Sequence, residues 1–178
     1  GTGVLGSAMA EGLAEAGTNT VVIGRRKEAG DVVVSSIREK GHKALFVQAD
    51  VLDEKDLLNA KETILKEFGS IDILVNAAGG NLPGAVIMPE QNFFDLKMEE
   101  FQKVVDLNLK GTVLPTKVFC DVMAKRKKGV IINIASMASF RPITRVVGYS
   151  ASKAAVDNFT QWLAVEMAKK FGEGIRVN

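Results

Sequence analysis

The order of segments in this chain predicts an α/β fold: a doubly wound parallel sheet with helices on both faces, packed as a three-layer sandwich. Short β-branched runs alternate with longer amphipathic stretches from one end to the other, the order that βαβ crossovers impose. No linker, internal repeat or low-complexity segment interrupts the alternation, so residues 1–178 read as a single domain. A hydrophobic share of 47% beside 25% charged residues is the balance of a globular chain with its own core.

Each element has a local reason. Gly1-Thr2-Gly3-Val4-Leu5-Gly6 is a glycine-rich turn that opens a helix over Leu5 to Ala16. The run Val21-Val22-Ile23 predicts a strand from Thr20 to Gly24, and the amphipathic stretch Lys27 to Lys40 predicts the next helix. The same alternation predicts a strand over Ala44 to Val47, a helix over Asp53 to Phe68 and a strand over Ile71 to Asn76. A connection from Gly80 to Lys97, with glycine, two prolines and the pair Phe93-Phe94, is too irregular for a helix throughout. Beyond it a helix is expected over Glu99 to Arg126. The apolar run Val130-Ile131-Ile132-Asn133-Ile134-Ala135 then predicts a strand over Gly129 to Ala135. A helix over Tyr149 to Phe171 and the short strand Ile175 to Asn178 complete the order. A glycine-rich turn of this kind normally follows a strand, and the last four residues read as half of one. The chain is therefore expected to be a piece of a longer protein, trimmed at both ends.

Composition excludes several classes of function. A net charge of +2 leaves no basic footprint for nucleic acid. No apolar run reaches the roughly 18 residues of a spanning helix, and no signal segment is visible, so a cytoplasmic protein without a membrane partner is expected. Cys120 is the only cysteine and sits among apolar helix positions, which predicts a buried thiol rather than a nucleophile. His42 is the only histidine and lies in the polar turn Glu39-Lys40-Gly41-His42-Lys43, so neither a metal cluster nor a serine–histidine triad has its parts.

The chemistry-bearing constellation is Ser136, Tyr149 and Lys153. Tyr149 is the only tyrosine, and Lys153 follows it by four residues on a predicted helix, so both side chains leave one face. A phenol ordinarily titrates near about 10 and is a poor acid or base at neutral pH. An ammonium about 4 Å away, at an effective dielectric of about 20, contributes roughly 4 kcal/mol toward the phenolate. Such a pair can exchange a proton with a substrate oxygen near neutrality. Alone such a pair mostly decorates a helix surface. Ser136 raises its weight, because it stands where the strand Gly129 to Ala135 ends and opens into a crevice, and its hydroxyl can hold a carbonyl oxygen there.

Glycines 1, 3 and 6 suit a cofactor diphosphate, since small residues let the backbone approach phosphates and the following helix presents its N-terminal amides. An ordinary tight turn is the other reading. After the strand Thr20 to Gly24 come Arg25 and Arg26, at the place where dinucleotide folds carry an acidic residue for the NAD ribose. Two arginines and no carboxylate favour the 2′-phosphate of NADP(H), with NAD(H) left open.

These residues, with Asp50-Val51, Asn76-Ala77-Ala78-Gly79 and Asn108 at ordered spacings, resemble the classical short-chain dehydrogenase/reductase family over essentially the whole chain. The resemblance implies a Rossmann-type fold and an oxidoreductase without a metal. It implies that Ser136 polarises a substrate carbonyl, Tyr149 is the acid/base, Lys153 tunes it and holds the nicotinamide ribose, and Asn108 completes a proton relay. Gly1, Thr2, Gly3 and Leu5 would take the diphosphate, Asp50 and Val51 the adenine, and Asn76, Ala77, Ala78 and Gly79 would line the cofactor cleft. The chain departs from the family pattern at Val4, where a further glycine is common, and at Ala77, where a second asparagine is frequent. Neither departure removes chemistry.

Within the family the chain is similar to the sugar-acid branch, the D-mannonate oxidoreductases (fructuronate reductases), with gluconate 5-dehydrogenases as near relatives. The carrying residues are Gly79 to Ala85, Phe93-Phe94-Asp95-Leu96, Leu114-Pro115-Thr116 and Phe140-Arg141-Pro142-Ile143-Thr144-Arg145. Arg141 and Arg145 lie between Ser136 and Tyr149, and a guanidinium fork suits a carboxylate, so one of them is expected to bind a sugar acid. Solvent-facing charge or a subunit contact is the competing reading. The connection Gly80 to Lys97 either walls the substrate pocket or is pinned to the core by its phenylalanines. The helix bearing Phe159, Trp162, Leu163 and Val165 packs on the sheet or on a neighbouring subunit, and the resemblance implies a homodimer or homotetramer. A 3-oxoacyl thioester reductase and a non-catalytic NADP(H) sensor are the rival functions.

Overall fold

Among the described residues every strand pairing is parallel, between strands joined through helices. The computed structural model describes residues 1–141 and 143–178, which divide into two compact units, Gly1–Ile71 and Asp72–Asn178.

In the first unit, α1 (Val4–Glu15) precedes β1 (Thr20–Gly24), and α2 (Lys27–Glu39) crosses over to β2 (Ala44–Gln48). The strands pair in parallel with Thr20 opposite Ala44 and Gly24 opposite Gln48. Buried Gly30, Val33, Val34 and Ile37 recur at helical spacing on α2 and form one stripe. That stripe meets Ala10 and Ala14 of α1, Val22 of β1 and Ala44 of β2, with Phe46 packed against the cluster. Burial of each such valine or isoleucine contributes roughly 1.5–3 kcal/mol. The last helix of the unit, α3 (Glu54–Phe68), begins where the Asp53 carboxylate accepts the Lys55 and Asp56 amides at 2.8 and 3.1 Å. It ends at Gly69, whose left-handed φ of 75° a side chain would oppose.

Gly30 shows how closely α2 lies on β2. A Cβ at this position would stand 2.1 Å from two ring carbons of Phe46. Alanine in a helix interior is worth about 1 kcal/mol over glycine, but overpacking costs roughly 1–3 kcal/mol. The steric term wins because the obstacle is a rigid ring. Gly30→Ala is expected to lower the urea midpoint of unfolding, and an unchanged or raised midpoint would contradict this packing.

In the second unit, β3 (Ile73–Asn76), β4 (Gly129–Asn133) and β5 (Ile175–Val177) pair in parallel in that order. The register sets Asn76 opposite Asn133 and Gly129 opposite Ile175. The helix expected over Glu99 to Arg126 is α4 (Met98–Val105), a π-helical turn over Asp106–Lys110, and α5 (Gly111–Arg126). Pro115 inside α5 has no amide to offer the Gly111 carbonyl, so the ladder is irregular beside the π turn. Helix α6 spans Val147–Phe171. Val104, Phe119, Met123, Ile131 and Val156 are fully buried and form the centre of this unit.

Cys120 is buried, and burial pushes its thiol up to about 12, with Asp121 adding to the effect. It is an inert core residue, as the sequence predicted. On α6, Leu163 is buried while Trp162 and Val165 are exposed, so the helix has one face on the core and a second that is apolar and open. Among the described residues no helix is long and apolar enough to cross a membrane.

Candidate active site

At the carboxyl end of β4 the chain passes from Asn133 through Ile134 to Ser136, which adopts an extended conformation and caps a short turn over Met137–Ser139. The Ser136 hydroxyl oxygen accepts the Ala138 amide at 3.1 Å, which leaves its own proton free to be donated. That turn packs on α6, the helix carrying Tyr149 and Lys153. The spacing of four on α6 puts both side chains on one face, with the Lys153 ammonium 5.8 Å from the centre of the Tyr149 ring. Only 4% of Lys153 is exposed, and its ammonium donates to the Ile134 carbonyl at 2.6 Å. Burial holds this lysine below its ordinary 10.5, because removal from water penalises the charged form. Tyr149 is half-buried, and its hydroxyl makes no hydrogen bond among the described residues.

Asn108 completes this cluster from the π turn. It is fully buried; its amide nitrogen donates to Gly80 O at 2.7 Å and Val104 O at 2.8 Å, and its amide oxygen accepts the Gly80 amide at 3.0 Å. The reciprocal bonds grip the Gly79-Gly80 turn that follows Asn76, Ala77 and Ala78. A side chain on Gly79 would come 2.7 Å from Asn108 Oδ1 and 3.3 Å from Lys153 Nζ. Gly79, Asn108 and Lys153 therefore meet at one place.

In the first unit the glycine-rich turn lies against the end of β1. The Gly1 nitrogen donates to Ile23 O at 2.7 Å, and Gly24 lies against the Thr2 side chain. A Cβ on Gly6 would meet Gly1 O at 2.8 Å, whereas a Cβ on Gly3 would meet nothing within 4 Å. The turn is closed behind and open in front, and the first amides of α1 have no side-chain cap. Leu5 is exposed. Past β1, Arg25 and Arg26 are exposed, and Arg25 Nη1 stands 3.8 Å from Asp50 Oδ2. Asp50 is itself held by the Leu52 amide at 3.0 Å, with Val51 between them in the turn.

The two loop arginines have different surroundings. Arg141 is exposed, and among the described residues its guanidinium has no hydrogen-bond or ion-pair partner. Arg145 is turned onto the Gly80 to Lys97 connection, its Nε donating to Ile87 O at 2.9 Å. Pro142, part of the motif quoted above, lies outside the described residues. The connection itself holds two 3₁₀ turns, Pro83–Ala85 and Phe93–Asp95. Phe93 and Phe94 are 63% and 92% exposed, so they do not pin it to the core; they touch each other edge to face with centroids 5.9 Å apart.

The sequence profile of the short chain dehydrogenase family matches residues 1–178. The chain belongs to that family. The uncharacterized oxidoreductase UxuB of Bacillus subtilis (strain 168) is 42% identical across 100% of this chain and 66% of its own length. A crystal structure of a candidate D-mannonate oxidoreductase from Haemophilus influenza, with bound NAD, has a TM-score of 0.92 at 39% identity, covering 99% of this chain and 66% of that one. An actinorhodin polyketide ketoreductase variant with NADPH has a TM-score of 0.90 at 30% identity, covering 99% and 65%. The fold of this short-chain dehydrogenase is thus the Rossmann-type α/β fold. The chain spans about two thirds of the curated relatives it matches, 66% and 64%.

The short-chain dehydrogenase also carries a buried polar chain that sequence reasoning missed. Asn76 Nδ2 donates to Thr116 Oγ1 and to Asn133 Oδ1, both at 2.8 Å, and Asn133 Nδ2 donates to Thr160 Oγ1 at 2.9 Å. Thr116 bonds the Thr112 carbonyl at 2.7 Å and Thr112 bonds the Asn108 carbonyl at 2.8 Å. The network ties β3, β4, α5 and α6 together beneath the cluster, and satisfied buried polar groups of this kind specify one arrangement. Two signals were present: a lone amide inside the apolar run of β4, and Asn108, Thr112 and Thr116 at intervals of four.

Proposed function

We propose that this short-chain dehydrogenase is an NAD(P)(H)-dependent oxidoreductase that interconverts a secondary alcohol and a ketone, on a small sugar acid of the D-mannonate/fructuronate kind. The observation that carries the chemistry is the buried Lys153 ammonium beside the ring of Tyr149, whose hydroxyl is left free for a substrate. Tyr149 holds the proton exchanged with the substrate oxygen, and the Lys153 charge stabilises negative charge that develops on the phenol oxygen. Ser136 donates to the reacting oxygen with the proton that its bond from Ala138 leaves free. Asn108 holds the Gly79-Gly80 turn against Lys153, and the family resemblance assigns it to the proton relay.

The nicotinamide, when bound, supplies or accepts the hydride. The open face of Gly3 and the uncapped amides of α1 fit a diphosphate, with Gly1, Thr2 and Leu5 as its other holders. Asp50 and Val51 would take the adenine, and Asn76, Ala77, Ala78 and Gly79 the wall toward the nicotinamide, with the Lys153 ammonium and the ring of Tyr149 at its ribose. Arg25 and Arg26 support NADP(H) as the preferred cofactor, by their exposed guanidinium groups at the end of β1. Similar solved structures hold NAD or NADPH, so both are assayed.

The sugar-acid reading is supported by the likeness to the candidate D-mannonate oxidoreductase and by Arg141, an exposed guanidinium without a partner among the described residues. The Gly80 to Lys97 connection walls the substrate pocket in this reading. The likeness to a polyketide ketoreductase favours an acyl thioester as the second reading. The exposed Trp162 and Val165 of α6 support a homodimer or homotetramer, and the lone buried Cys120 suits a cytoplasmic location.

The test follows nicotinamide absorbance with NADPH and NADH in parallel against fructuronate, 5-ketogluconate and an acetoacetyl thioester. Turnover of a sugar acid with NADPH is the expected result. Turnover of the thioester alone would transfer the protein to the second reading. Arg141→Ala is expected to raise the KM for the sugar acid by about 10- to 100-fold, the worth of a charged hydrogen-bonded contact. An unchanged KM would remove Arg141 from the site.

A further inference from the structure

Arg145 is one of only two non-glycine residues with positive φ among the described residues, at 73°, a conformation disfavoured for a residue with a Cβ. It keeps that conformation while making a closed pair of bonds with a single residue of a distant segment. The Ile87 amide donates to the Arg145 carbonyl at 2.9 Å, and Arg145 Nε donates back to the Ile87 carbonyl at 2.9 Å. Its Nη2 reaches Met88 Sδ at 3.5 Å. Ile87 and Met88 in turn line a cavity of about 150 Å³ with Pro83, Val86 and Leu96, all within the Gly80 to Lys97 connection. Four residues after Arg145 comes Tyr149, just inside the start of α6.

We infer that Arg145 is a positioning residue: it latches the Gly80 to Lys97 connection to the loop that leads into Tyr149, and so sets the substrate pocket without touching the substrate. The inference rests on the reading of that connection as a pocket wall. An arginine whose guanidinium donates through Nε to a main-chain carbonyl and whose own main-chain carbonyl accepts the same residue's amide is fixed at both ends, which is the requirement for transmitting position. Arg145 and Arg141 thus divide the work expected of the pair: the unpartnered one meets the ligand and the partnered one shapes its wall.

Glutamine separates the latch from a charge contact, because its Nε2 occupies the same place along the side chain as arginine Nε but carries no charge. The experiment compares wild type, Arg145→Ala and Arg145→Gln by amide hydrogen exchange, and by kinetics with fructuronate, the neutral ketose fructose and a neutral acetoacetyl thioester. Arg145→Ala is expected to speed exchange at Ile87 by at least about tenfold while leaving α2 unchanged. It is expected to raise KM about tenfold with kcat within about threefold, for acidic and neutral substrates alike. Arg145→Gln is expected to restore both. Unchanged exchange at Ile87, or a KM defect confined to fructuronate and shared by the glutamine variant, would overturn the latch. If the wild type turned over none of the three, the proposed function would fail, and the exchange rates alone would still decide whether the latch exists.

Discussion

Tyr149→Phe is expected to abolish nearly all turnover, a loss of at least about 10²–10⁴-fold, with cofactor affinity and stability preserved. The geometry makes this an unusually clean substitution. The Tyr149 hydroxyl makes no hydrogen bond among the described residues, so phenylalanine leaves no orphaned partner. The ring stays beside Lys153 and keeps its packing. Unfolding free energy should therefore stay within about 0.5 kcal/mol of wild type. Steady-state rates with the best substrate of the panel, cofactor titration by fluorescence and urea unfolding measure the three quantities. Retention of most activity would remove Tyr149 from the proton-transfer role, and loss of cofactor binding would show that the hydroxyl does something else.

Lys153→Met is expected to cost a comparable factor in activity and, unlike the tyrosine change, to weaken cofactor binding. Its effect on stability is the more informative part. Removal of the ammonium leaves Ile134 O without its donor, a cost of roughly 1–3 kcal/mol. Removal also relieves the desolvation of a charge in a residue only 4% exposed, which works in the opposite direction. A small net change is expected. The pH dependence identifies the lysine directly. Its folded value lies below the ordinary 10.5, so between the two values the unfolded chain binds more protons than the folded one. Wild-type stability should receive a contribution that rises with pH across that window, and the methionine variant should lack it. Identical pH profiles for the two proteins would mean that Lys153 is not desolvated in solution.

The strands were legible because β-branched runs report directly on a buried parallel sheet, and the elements Thr20–Gly24 and Lys27–Glu39 stand within a residue of their expected places. Ends were less legible. The strand expected from Ile71 begins at Ile73, and the one expected to reach Ala135 ends at Asn133, because apolar character continues where pairing stops. The pair Tyr149 and Lys153 was legible for a stronger reason: a spacing of four fixes a common face in any helix, whatever packs around it.

Contacts between distant segments were beyond that logic. Nothing local in Asp106–Lys110 specifies a π turn with an asparagine gripping Gly80, since the partner lies 28 residues away. Arg141 and Arg145 looked equivalent as charges on one loop, and only the fold distinguishes a partnered guanidinium from an open one. Phe93 and Phe94 had every compositional reason to enter the core and remain outside it. By itself the sequence determined the alternation of elements, the family and the chemical identity of the serine, tyrosine and lysine, because these depend on residue type and short spacing. The tertiary structure alone decided which polar groups have partners and which, among the described residues, have none, because hydrogen-bond partners across long loops are chosen by where the chain returns in space.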